Sequence, residues 1–139
     1  MRKCVLLLLL VLLACGPAPQ QAGGPDSAGL TPPQVAQGFA QAMLDKPDLD
    51  QALRWCQPSA TLEVRSQLGF TAGRTAVDYG IGPASKEDNR WLVVIPIRRL
   101  VVGTGSYRGQ LRLELGEDGR RVVHSSLKLS RPDGVELTL

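Results

Sequence analysis

"WLVVIPIRRLVVGTGSYRGQLRLEL", residues 91–115, is the stretch whose reading decides the fold. Its second half alternates without a break. Tyr107, Gly109, Leu111, Leu113 and Leu115 take one parity, and Arg108, Gln110, Arg112 and Glu114 take the other. Period two belongs to a strand with one buried and one wet face. The first half, Trp91 to Val102, is apolar at both parities, as expected of a strand covered on both faces. Pro96 has no N–H to give a ladder, which predicts a bulge or bend near it. Gly103-Thr104-Gly105 turns the chain, and two strands joined by a short turn are antiparallel.

The same pattern continues on both sides. "GEDG" at 116–119 turns into Val123, Ser125, Leu127 and Leu129, alternating with His124, Ser126 and Lys128. "RPDG" at 131–134 turns again into Val135, Leu137 and Leu139. Upstream, Thr75, Val77, Tyr79 and Ile81 alternate with Ala76, Asp78 and Gly80, and "GPASKEDN", 82–89, reads as a polar loop. About five antiparallel strands result.

Before Gly73 the period is helical. Thr31-Pro32-Pro33-Gln34 has a capping residue, a proline at the first helical position and the glutamine of a capping box. Val35, Phe39 and Met43 follow at i, i+4, i+8, and the helix ends near Lys46, before Pro47. Asp48 caps a second helix, with Leu49, Ala52, Leu53 and Cys56 on one face and Pro58 as its stop. Ser59 is placed to cap a third helix through Leu68, closed by Gly69. Helices followed by a meander predict an α+β domain: N-terminal helices packed on a curved antiparallel sheet of about five strands.

"TPPQVAQGFAQAMLDKPDLDQALRWC", 31–56, is similar to the opening of the nuclear transport factor 2-like, or ketosteroid-isomerase-like, superfamily. The likeness rests on Val35 and Phe39 in V-x-x-x-F, and on Asp48, Asp50, Ala52 and Leu53 in D-x-D-x-A-L. It would cover residues 31–130. It implies a cone-like sheet wrapped around a long helix and a conical pocket, with bends near Pro96 and Gly109. Isomerase and dehydratase members use an Asp base or an Asp–His pair with Tyr or acid donors inside the cone.

The N-terminus has its own signature. Met1-Arg2-Lys3 is followed by Val5 to Leu13, all Val or Leu, then Ala14 and Cys15. A charged start, a short apolar run and a small residue describe a signal peptide. About ten residues rise roughly 15 Å, half of a bilayer's hydrocarbon core of about 30 Å. Leu12-Leu13-Ala14-Cys15 resembles the lipobox of bacterial lipoproteins. That resemblance implies cleavage between Ala14 and Cys15 and a diacylglycerol on Cys15, anchoring the chain in the cell membrane or outer membrane and facing the periplasm or exterior. Two acyl chains hold where one is marginal. Gly16 stands where an Asp would favour inner-membrane retention in Gram-negative lipoproteins, so outer-membrane sorting is favoured in such a host. "GPAPQQAGGPDSAGL", 16–30, lacks the apolar content to repay ordering and reads as a tether. The domains are therefore 1–14 signal, 15–30 lipidated Cys and tether, and 31–139 the α+β domain.

Charge and cysteines narrow the function classes. The chain carries sixteen Lys and Arg against thirteen Asp and Glu. Without Arg2 and Lys3 the balance falls to fourteen against thirteen, a net of +1, which gives no global charge argument for nucleic acid. Cys4 leaves with the signal and Cys15 takes lipid, so Cys56 has no internal disulfide partner. It reads as a small buried hydrophobe, with a reactive thiol as the alternative.

The candidate chemistry is sparse. Asp78, Tyr79, Tyr107 and His124 are the residues an isomerase-type site would draw on. Asp78 and Tyr79 are neighbours in a strand and point to opposite faces. His124 shares the wet face with Ser126 and Lys128 and has no evident carboxylate partner in sequence. No catalytic set, metal-ligand set or cofactor motif is present. Between Asp88 and Glu114 the charged residues are Arg90, Arg98, Arg99, Arg108 and Arg112, with no acid among them. Three readings of Arg98, Arg99, Arg108 and Arg112 stand: a solvated row protecting the sheet, binding to an anionic surface, or an anion site in the pocket. For the last, Arg98 and Arg99 point to opposite faces, and one of them enters the pocket or the helix-covered side. The sequence thus predicts a membrane-anchored envelope lipoprotein with a small non-catalytic binding or accessory domain, its partner an envelope protein or an anionic surface. The alternative is a small isomerase or dehydratase.

Overall fold

A computed structural model describes residues 29–139. The signal, the Ala14–Cys15 cleavage point and the lipid site Cys15 lie outside the described residues. Three short helices pack against a six-stranded antiparallel sheet that is open and curved.

The first helix, α1 (Pro32–Ala40), starts as its cap residues dictate. Thr31 Oγ1 accepts from the Gln34 N–H, and Gln34 Oε1 accepts from the Thr31 N–H at 2.8 Å. A π-helical turn, Gln41–Asp45, extends it to Lys46. The second helix, α2 (Leu49–Arg54), is capped by Asp48, whose Oδ1 accepts from the Gln51 N–H at 3.1 Å. Gly38 has no side chain, and the Trp55 ring occupies the space where one would be, which brings α2 against α1.

The third helix departs from the sequence reading. A 3₁₀ turn, Pro58–Ala60, leads into α3 (Thr61–Thr71), which runs through Gly69 rather than stopping there. Ser59 does not cap it. Its hydroxyl donates instead to the Val123 carbonyl at 2.9 Å. Phe70, beyond the glycine, packs edge-on against Tyr107 with ring centroids 5.3 Å apart, a tertiary contact that outweighs the local stop signal.

The strands are β1 (Arg74–Tyr79), β2 (Ala84–Glu87), β3 (Arg90–Val102), β4 (Gly105–Leu115), β5 (Val122–Ser130) and β6 (Glu136–Thr138). Their order is β1-β3-β4-β5-β6, with β2 pairing β3 beyond β1. The segment read as a polar loop therefore contains a strand. β2 pairs Ala84 to Val93 and Glu87 to Arg90 around a two-residue Asp88-Asn89 turn, with Asp88 at φ 53°. A polar strand of four residues at a sheet edge shows no alternation, and only the turn residues mark it. β1 ends at Tyr79, short of Ile81. Gly80 lies opposite Pro96, donating its N–H to the Pro96 carbonyl at 3.0 Å, and Pro96 has no N–H to return.

The core sits between helices and sheet. Val35, Phe39 and Met43 are buried as the i, i+4, i+8 spacing requires. They join Val93, Ile95, Ile97, Leu100, Leu111, Leu113, Leu115 and Leu127 in one cluster. Along β3 the inward residues change parity, from 93, 95 and 97 to 100. The cause is a bulge. Ile97 pairs Gly109 and Leu100 pairs Tyr107, so Arg98 and Arg99 together oppose Arg108. On the other edge Tyr79 pairs Ile97 and Asp78 pairs Arg99, so Arg98 is passed over by both neighbours. This bulge, and not helices on both faces, accounts for part of the doubled apolar pattern. Among the described residues no helix covers the outer face of β3, where Leu92 and Val94 are half-buried and Pro96 is exposed.

Gly109 supplies the close approach beside the bulge. A Cβ there would lie 1.9 Å from the Lys128 carbonyl oxygen, so only glycine fits.

Candidate functional site

Arg98 and Arg99 do not divide between the two faces. The bulge turns both outward, and both are exposed. Arg98 forms a two-point ion pair with Asp78, Nε to Oδ2 at 3.1 Å and Nη2 to Oδ1 at 2.8 Å, and donates to the Tyr79 carbonyl at 3.1 Å. The hydrogen bond from Arg98 holds the Asp78 carboxyl below its ordinary range. An arginine in the interior, the anchor of an internal anion site, is therefore absent at these two positions.

Arg108 and Arg112 lie on the same outer face, both exposed. Strand register sets their neighbours. Arg112 sits between Val94 and Ser126, and Gln110 between Pro96 and Lys128. Lys128 is thus a member of this face. It was not among the residues singled out from sequence, although its parity within β5 and the short β4–β5 turn carry the information. Arg99, Arg108, Arg112 and Lys128 form no ion pair among the described residues. Arg90 is paired to Glu114 at 2.8 Å. At the far end of this face Arg108, Gln110, Lys128, Ser130, Glu136 and Thr138 line a groove of about 320 Å³.

The isomerase-type candidates do not converge. The Tyr79 hydroxyl points to the helix side and donates to Asp45 Oδ2 at 2.5 Å. Burial and that carboxylate raise its pKa. Asp78 faces out, against Arg98. Tyr107 packs on Phe70. His124 does have a carboxylate partner, Glu63 on α3, with Nδ1 2.6 Å from Oε1. No two of these four residues touch through a hydrogen bond, and the space between helix and sheet holds Phe39, Met43, Leu44, Ile95 and Leu111. Among the described residues no three His, Cys, Asp or Glu side chains gather as a metal site.

The Glu63 contact belongs to a polar group that sequence reasoning missed. Glu63 and Gln67, one turn apart on α3, lie along the β5 edge where, among the described residues, no strand pairs it. Glu63 Oε2 accepts from the Ser125 N–H at 2.6 Å. Gln67 Nε2 donates to the Ser125 carbonyl at 2.8 Å and to the Leu139 carbonyl at 3.2 Å. The Ser125 hydroxyl donates to Gln67 Oε1 at 2.6 Å. The Ser125 hydroxyl is committed to Gln67 and the imidazole to Glu63, so no nucleophile–base pair forms.

Cys56 is buried against the start of β5, and its thiol donates to the Ala52 carbonyl at 3.3 Å. Burial pushes its pKa up to about 12. That is the setting of an inert packing thiol and not of a nucleophile.

No described helix is long and apolar enough to cross a membrane. No family model, no curated protein and no solved structure matches this chain.

Proposed function

We propose that the chain is a lipid-anchored protein of the bacterial cell envelope, carrying a nuclear transport factor 2-like domain that binds or supports a partner and performs no chemistry. The observation that carries the non-catalytic part is the filled interior. Phe39, Met43, Leu44 and Ile95 are fully buried where an isomerase of that superfamily would keep its pocket. Acid–base catalysis needs at least two polar groups converging on one substrate atom. Here Tyr79, Asp78, Tyr107 and His124 are each engaged elsewhere. The anchoring part rests on Leu12-Leu13-Ala14-Cys15.

The test is metabolic labelling of the full chain with an alkyne-bearing palmitate analogue, followed by fractionation. The expected result is label and membrane location in the wild type, and loss of label with accumulation of the uncleaved form in Cys15→Ala. Equal labelling of both proteins would remove the lipoprotein reading.

A further inference from the structure

We propose that the uncovered face of the sheet lies flat on the anionic phospholipid surface of the membrane to which Cys15 ties the chain. The inference rests on the lipid-anchor reading and names the partner of the domain.

Three observations carry it. The helices occupy one side of the sheet, so the other side is open among the described residues. On that side Arg99, Arg108, Arg112 and Lys128 are exposed on three adjacent strands, with no ion pair among the described residues. Most acids of the same face are spoken for or peripheral. Asp78 is held by Arg98 and Glu114 by Arg90, and Glu87 lies on the flanking strand β2, while Glu136 on β6 shares a groove with Arg108 and Lys128 and offsets one of the four cations. A negative surface complements what remains.

Reach is the third observation. Residues 16–28 span at most about 3.3–3.6 Å each, so the domain starts within roughly 45 Å of Cys15. The chain enters the domain beside the first residues of β3, where Pro32 lies against Gly119 and Trp91. β3 rises about 3.3 Å per residue. Arg112, opposite Val94, then lies roughly 10 Å from that point along the sheet, and Arg99 roughly 26 Å. All four cations fall within the tether's range. Tethering also holds them at a high effective concentration, so weak individual contacts suffice.

The experiment uses the full-length chain purified from the membrane fraction, with a donor dye on Ser106→Cys, an exposed position of the same face. Cys56 is buried and does not compete for the dye. The protein is reconstituted into vesicles of phosphatidylcholine alone, or with one third phosphatidylglycerol, carrying a headgroup acceptor dye. Energy transfer is expected to rise at least twofold with the anionic lipid. It should return to the neutral-lipid value in 0.5 M salt, because screening shortens the range of exposed charges. R99E/R108E/R112E/K128E should lose the rise, and R54E/R65E on the helical side should keep it. Matching urea midpoints for both variants establish that they fold.

Transfer that ignores lipid charge while the protein stays vesicle-bound overturns the docking and leaves the anchor standing. Protein that fails to stay with vesicles overturns the anchor itself. Transfer unaffected by phosphatidylglycerol but changed by a soluble anionic polysaccharide assigns the face to polysaccharide and overturns the lipid reading.

Discussion

Gln67 and Ser125 close on each other twice. The Ser125 hydroxyl donates to Gln67 Oε1 at 2.6 Å, and Gln67 Nε2 donates to the Ser125 carbonyl at 2.8 Å. Both residues are buried. The pair stands in for a neighbouring strand, with Glu63 taking the Ser125 N–H. Gln67→Ala strands a buried hydroxyl and leaves a carbonyl without its donor. Each such group costs about 1–3 kcal/mol, so a loss of about 2–4 kcal/mol is expected by urea denaturation. The double variant with Ser125→Ala should lose less than the two singles added. A strictly additive cycle would show that the pair is not coupled.

Gly109→Ala should be among the most damaging single-methyl additions in the protein. Its Cβ would lie 1.9 Å from the Lys128 carbonyl oxygen, a backbone atom that cannot rotate away. The strands must separate or the bulge must move, and a loss of about 3 kcal/mol or more is expected. A melting temperature within two degrees or so of wild type would mean that β4 and β5 relax far more easily than their ladder implies.

Cys56 makes an alkaline prediction. Its pKa is raised from 9.0 to about 12 by burial. Between those values the unfolded chain has lost the thiol proton and the folded chain has kept it. This contribution is therefore complete below pH 9 and is lost as pH rises toward 12, at about 1.4 kcal/mol per pH unit at most. Tyr79, also shifted upward, adds loss above its ordinary range. Cys56→Ala should flatten the alkaline limb of stability against pH, leaving only the Tyr79 share. Unchanged slopes would place the thiol in contact with water. Native protein should also resist iodoacetamide at pH 8 and react once unfolded.

Thr31→Ala removes one half of the capping box and should lower stability by about 1 kcal/mol. Thr31→Ser should retain it, since the hydroxyl that accepts from Gln34 N–H survives. A Ser variant as weak as Ala would shift the credit from the cap to the threonine methyl.

The parts of the fold legible in the sequence are those set by local chemistry. Thr31-Pro-Pro-Gln34 and Asp48 cap helices because the capping atoms lie three residues from their donors. The glycines at 103, 119 and 134 mark turns, each with positive φ. What escaped depends on residues far apart in the chain. β2 has no apolar face to announce it, and only its pairing to β3 makes it a strand. Gly69 signals a stop that the Phe70–Tyr107 contact overrides. The Glu63–His124 contact spans sixty-one residues, and no pattern around either predicts the other. Of the four basic residues on the open face, Arg99, Arg108 and Arg112 stand out in the sequence as part of a run without acids, whereas Lys128 lies beyond Glu114 and outside that run. Their common face does not stand out, because strict alternation sends Arg98 and Arg99 opposite ways.

Arg98 is the one residue of β3 counted by neither neighbouring strand. A chain lacking it would run an unbroken register against β4 and lose the irregularity between Asp78 and Tyr79 against β1, with Arg99 facing Arg108 and Asp78. Removing one residue from a central strand normally throws half of it to the wrong face. Here the same removal would straighten the strand and leave Val93, Ile95, Ile97 and Leu100 together on the core face. The bend of this sheet at that point is the work of one inserted residue, and a deletion there would be gentler than almost any substitution in the core.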